Sequence, residues 1–203
     1  VQTNGRTIVP RTFMLNLHRM LPRDRTVVID SGHCMGWPII YLSAPNAAGF
    51  VFSNDFMAVG LGLGTAFGAA IAHPDRLTIC TPGDGGLMMS LGELETFVRY
   101  KIPALVIVLN DASYGAEVHL LQNVGLPGHG AFFRDNDFAA IATAMGADGI
   151  TVRDVGDLEG LRPWLDERRG PMVVDCKLDA QLRGDWFSKV FAPGGWYQRM
   201  CGH

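Results

Sequence analysis

The sequence predicts a doubly wound α/β fold, a mostly parallel sheet with helices on both faces. Short, β-branched apolar runs recur at Thr26 to Asp30, Leu77 to Thr81, Ala104 to Leu109 and Pro171 to Cys176. Continuous runs of this kind belong to strands buried on both faces. Segments with helical periodicity fall between them, at Ala58 to Ala72, Leu87 to Tyr100, Asp137 to Met145 and Leu158 to Arg168, and such alternation builds a parallel sheet. Composition agrees: of 203 residues, 48% are hydrophobic, 18% are charged and 25 are glycine. A well-buried core with close backbone approaches follows.

Taken in order, residues 1–25 read as a lead-in from a preceding domain or linker, with a helix-like stretch at Arg11 to Met20. A chain that opens on Val1 is expected to be a piece of something longer, by cleavage or as one of two separately encoded chains. Residues 26–178 hold the four strand runs and form the expected domain. Phe56 to Ala72 is a 17-residue uncharged run, but a membrane span needs roughly 20 apolar residues, and four glycines interrupt this one, so a buried helix is expected. Gly60, Gly64, Gly68 and Ala72 fall at intervals of four and leave one helix face nearly bare for another backbone to approach. From 179 to 203, Trp186, Phe187, Phe191, Trp196 and Tyr197 lie among Gly and Pro without a period. That tail is expected to pack across another surface as a lid.

Charge and cysteines exclude several classes. The 17 Lys and Arg against 20 Asp and Glu give a net charge of -3, without the basic footprint of a nucleic-acid or membrane-surface binder. Cys34, Cys80, Cys176 and Cys201 are scattered, which suggests neither a zinc spacing nor a disulfide framework. With no secretory signal at the start of the chain as given, a cytoplasmic location is expected.

Ligands of open parallel sheets sit at the carboxyl ends of the strands. The run Leu77 to Thr81 leads into Pro82-Gly83-Asp84-Gly85-Gly86 and then a helix. A carboxylate and unhindered N–H groups at a helix start hold phosphate together with a cation, and they also make an ordinary cap and turn. The next run ends in Asn110-Asp111, 27 positions after Asp84. Oxygen side chains ending adjacent strands beside phosphate-binding glycines suit Mg²⁺ that keeps diphosphate oxygens in its shell, although a chance pair remains open.

These residues resemble the cofactor-diphosphate domain of thiamine-diphosphate enzymes of the acetolactate synthase and pyruvate decarboxylase family. The resemblance covers Thr26 to Cys176 and rests on Gly83-Asp84-Gly85, Glu93-Leu94, Thr96, Arg99, Pro103, Asn110-Asp111 and Tyr114-Gly115. It implies thiamine diphosphate and Mg²⁺ as cofactors, with Asp84, Asp111 and the Ser113 carbonyl as metal ligands. Asp111 stands where the family's second Asn usually stands, which adds a negative charge. The resemblance further places Gly32, His33, Cys34, Gly83, Gly85, Gly86, Tyr114 and Gly115 at the diphosphate. Met57, through its carbonyl, and Val59, through its bulk, would hold the aminopyrimidine; read from the residues alone, both are simply core positions.

Glu117 occupies a position where pyruvate decarboxylases carry an active-site glutamate, and is the expected catalytic residue; a solvated helix residue is the alternative. The resemblance implies decarboxylation of a 2-oxo acid with carboligation, or simple decarboxylation to an aldehyde. It also implies a separate pyrimidine-binding domain from the same or another subunit, a homodimer or tetramer, and no turnover by this chain alone. A non-catalytic nucleotide-binding module keeps the same fold. An NAD-dependent oxidoreductase would need a glycine-rich turn directly after a strand, and Gly60, Gly62 and Gly64 lack that placement.

Overall fold

The computed structural model describes residues 6–191 and 194–201. The first five residues of the expected lead-in, His203, and the side chains of Tyr197 and Cys201 lie outside the described residues. Six strands form one parallel sheet: β1 (Arg25–Asp30), β2 (Phe50–Ser53), β3 (Leu77–Thr81), β4 (Ala104–Asn110), β5 (Asp148–Val152) and β6 (Met172–Lys177), in the order β2-β1-β3-β4-β6-β5. The four expected strands are all present. The two additional ones, β2 and β5, are the edges: β2 is only four residues long and β5 opens with Asp148-Gly149.

Side chains alternate between the faces of the sheet. Val27, Ile29, Ile79, Leu105, Ile107 and Val174 pack against Phe13, Met14 and Leu17 of α1 (Pro10–Met20) and against Leu161 and Trp164, which flank the start of α8 (Arg162–Glu167). Val28, Cys80, Val106, Val108 and Val173 face the other way, onto α3 (Gly62–Ala72), α5 (Glu93–Arg99) and α7 (Phe138–Ala144). The helix of the lead-in is therefore part of one core layer, and the Ile8 N–H is bonded to the Lys177 carbonyl at 2.9 Å.

Helix boundaries depart from the periodicity in two places. The segment 87–100 is divided into α4 (Asp84–Ser90) and α5 around Leu91-Gly92. The segment 58–61 is a loop, because Gly60 takes φ +89° and α3 begins only at Gly62. The bare face survives as Gly64 and Gly68: beyond their own helix, no atom of the described residues lies within 4 Å of where their Cβ atoms would stand, so no other backbone among those residues approaches there. The remaining helices are α2 (Gly36–Tyr41), α6 (Gly115–Asn123), α9 (Asp185–Phe191) and α10 (Trp196–Cys201). Among the described residues, no helix is long and apolar enough to cross a membrane.

Candidate functional site

From β1 the chain runs outward to β2 and then returns to β3 on the opposite side of β1. Loops leaving β1 and β3 diverge, and a crevice opens where they part. It is a narrow cleft open to solvent. The loop after β1 supplies Gly32, His33 and Cys34, and the loop after β3 supplies Gly83, Asp84, Gly85 and Gly86. Beyond β4 come Asp111, Ser113, Tyr114, Gly115 and Glu117, while Val59 enters from the segment before α3. Every expected site residue lines the cleft except Met57. That side chain is exposed, and its backbone, like that of its fully exposed neighbour Phe56, is left-handed, with φ +57° and +56°.

Two carboxylates dominate the electrostatics. Asp84 is 2% exposed; its Oδ1 accepts from the Gly85 N–H at 2.9 Å, and its Oδ2 has no partner. Burial, and then the neighbouring charge of Asp111, push its pKa up to about 8. Asp111 accepts at Oδ1 from the Ser113 N–H and hydroxyl, and burial raises its pKa to about 6. Burial, followed by the charges of Asp30, Asp111 and Asp84, also pushes the Cys34 thiol well up. Like charges on a buried and a half-buried carboxylate, one with a free oxygen, are an arrangement that a cation relieves. Among the described residues no three His, Cys, Asp or Glu side chains cluster as a metal site. A cation here would draw its other oxygens from backbone and ligand.

The glycines keep the cleft open at atomic level. A Cβ on Gly85 would overlap the Tyr114 ring, and one on Gly115 would come within 2.7 Å of Asp111 Oδ2. Asp30, fully buried at the end of β1, holds the floor. Its carboxylate accepts from the N–H groups of Ser31 and Gly60, and a Cβ on Gly86 would fall 2.7 Å from its Oδ2. One side chain thus ties together the β1 loop, the Val59 segment and α4. Neither this role nor that of Asn110, below, was legible, since Asp30 reads as the polar end of an apolar run.

His33 Nε2 accepts from the Gly184 N–H at 3.0 Å. Burial, then the charges of His119 and Arg183, lower its pKa to about 3, so it is neutral and already engaged. Its ring stacks on Trp186 at 6.0 Å and meets Phe187 edge-on. The tail, in the shape of α9, therefore packs behind the β1 loop, and Trp186 does not line the cleft. Glu117 is exposed and stands at the rim.

A model of the thiamine pyrophosphate enzymes, C-terminal TPP binding domain, matches residues 30–176. The chain belongs to this family. The matched region of this TPP-binding domain begins at Asp30 and takes in every loop of the cleft. An acetolactate synthase large subunit of Buchnera aphidicola is 28% identical over 88% of this chain and 32% of its own length. A pyruvate decarboxylase of Neurospora crassa is 26% identical over 80% of this chain and 29% of its own. In fold, the chain matches a thiamine diphosphate-dependent 4-hydroxybenzoylformate decarboxylase of Rhodococcus jostii with a TM-score of 0.78 at 24% identity, covering 88% of this chain and 34% of that one. The TPP-binding domain described here spans about a third of the length of these relatives.

Proposed function

We propose that this chain supplies the diphosphate- and Mg²⁺-binding half of an acetolactate synthase-like active site that decarboxylates a 2-oxo acid and joins the product to a second carbonyl. The observation that carries the reading is the buried, unpartnered Oδ2 of Asp84 beside Asp111, in a cleft whose glycines leave room for an anion. The donor set is all oxygen, as Mg²⁺ prefers. Asp84, Asp111 and the Ser113 carbonyl would hold the metal. The N–H groups of Gly85, Gly86 and Gly115 would meet the diphosphate, with Gly32, His33, Cys34, Gly83 and Tyr114 around it.

Thiamine diphosphate, when bound, would supply the electron sink that decarboxylation needs. The chain's own residues bind and orient. Val59 presses into the cleft from one side, and Met57 presents its segment to an opposing surface. Glu117, at the rim, is placed to hold or move a proton. That position favours a second reading, simple decarboxylation, in which protonation ends the reaction.

The opposing surface is proposed to be a pyrimidine-binding domain, from the same or another subunit of a homodimer or tetramer. Exposed Phe56, Met57, Leu61, Met88 and Met89 support this, since a lone domain rarely spends so much apolar surface on water. Calorimetric titration of thiamine diphosphate tests the assignment, with and without Mg²⁺, on the unaltered chain and on Asp84→Ala. Binding that requires both the metal and Asp84 is expected. Equal binding by Asp84→Ala, or a response only to NADH, would overturn the reading. The chain alone is expected not to consume pyruvate, which a coupled assay checks.

A further inference from the structure

We infer that Asn110, braced from beneath by the buried Asp175–Lys177 pair, is a positioning residue that sets the shape of the 110–115 loop, and through it the geometry in which Asp84 and Asp111 meet a cation. The inference rests on the reading of the cleft given above.

Strands β4 and β6 end together, with Asn110 and Lys177 as register partners and the Leu178 N–H bonded to the Asn110 carbonyl at 2.7 Å. Asn110, Asp175 and Lys177 are 2%, 0% and 4% exposed. Asn110 Nδ2 donates to Asp175 Oδ1 at 2.9 Å and to the Asn136 carbonyl at 3.1 Å. Asp175 Oδ2 takes the Lys177 ammonium at 2.8 Å and the Phe138 N–H at 2.9 Å. Lys177 also donates to the Asn136 carbonyl and pairs with Asp135. With its amide nitrogen fixed toward the carboxylate, Asn110 must turn its Oδ1 the other way, where it accepts from the Ala112 N–H at 3.2 Å.

Ala112 is the residue that needs holding. It is left-handed at φ +55°, a conformation a non-glycine keeps only where its surroundings impose it. On either side of that turn stand Asp111 and Ser113, both in the cleft, while Asn110 is not among the cleft-lining residues. The loop is pinned a second time from 131–133, where the Tyr114 N–H donates to the Ala131 carbonyl and the Phe133 N–H to the Ala112 carbonyl. A buried ion pair contributes little to stability once its desolvation is counted; what this one supplies is a fixed direction for a single amide. The loop it shapes carries the ligands.

Two measurements on the unaltered chain and on Asn110→Ala separate positioning from plain structural support. In amide hydrogen exchange without ligand, Ala112, Tyr114 and Phe133 are expected to lose protection at least tenfold in the variant while the amides of β4 and β6 keep theirs. In titration with thiamine diphosphate, the Mg²⁺ concentration giving half-maximal uptake is expected to rise at least tenfold, with affinity at saturating Mg²⁺ changed less than threefold. Should Asn110→Ala not fold, Lys177→Gln takes its place with the same expectations, and Lys177→Arg should restore the unaltered values. An unchanged Mg²⁺ requirement, or protection lost across the strands as much as in the loop, would overturn the inference alone. Absence of Mg²⁺-dependent uptake by the unaltered chain would overturn the reading of the cleft, and this inference with it.

Discussion

Asp84 and Asp111 make the cleft a pH-dependent device. Both carboxyls titrate above their ordinary range, Asp84 at about 8 and Asp111 at about 6, so the folded chain holds protons that the unfolded chain releases near pH 4. Their protonated forms favour the fold: that stability is complete below about pH 4 and is lost as pH climbs through 6 and then 8. A cation needs the same oxygens deprotonated. Its affinity is therefore expected to rise from pH 6 to pH 8 and its binding to release protons, which calorimetry in two buffers of different ionisation enthalpy would measure. Asp111→Asn removes one of the two like charges. It is expected to stabilise the metal-free chain at pH 8 by roughly 1–3 kcal/mol while weakening Mg²⁺ binding, and a thermal melt with and without Mg²⁺ would reveal opposite shifts. A variant less stable than the parent in both conditions would contradict the pairing.

Helix α9 meets the β1 loop through Trp186 and Phe187, which pack on the His33 ring. Trp186 fills the space above Gly36 and stacks on His33, whose neutrality depends on that burial. Trp186→Ala is expected to cost less than the roughly 3–5 kcal/mol of a fully buried aromatic, since the indole is half-buried, and to return the His33 pKa from about 3 toward its ordinary value, a change visible in an NMR titration of its ring protons. If the His33 titration stayed put, the tail would not be what shields it. The elements also differ in how far the sequence discloses them. Central strands such as Ala104–Asn110 are apolar throughout, because both faces are covered, and are legible at sight. Edge strands are not: Phe50 and Phe52 of β2 alternate outward, and Asp148-Gly149 opens β5 with turn-like residues. The cleft was readable in Gly83-Asp84-Gly85 and Asn110-Asp111 because ligand chemistry dictates residue types there. Asp30 and Asp175 act on partners 30 or more positions away, as in the Asp30 bond to Gly60 and the Asn110 bond to Asp175, and no local pattern announces such pairs.

Across the molecule the two core layers are unequal in their sources. One layer borrows Phe13, Met14 and Leu17 from α1, all fully buried, so the matched region 30–176 does not hold its whole core. Removing residues 1–20 takes out four buried apolar side chains and is expected to cost about as much as a typical domain's whole margin of about 5–15 kcal/mol, and circular dichroism should find no cooperative thermal transition in the shortened chain. A sharp transition near that of the parent would mean that the sheet closes that face by other means. Four tryptophans colour different regions. Trp164 lies under β6 with its indole N–H on the Gly170 carbonyl, and Trp196 stands in solvent. Trp186 and Trp37 flank His33, at 6.0 and 6.2 Å between ring centres, and His33 is a wall of the cleft. His33 stays neutral and lines the cleft, so the molecule holds an intrinsic optical gauge: light from these two indoles is expected to change when a ligand settles one side chain away, with no label attached.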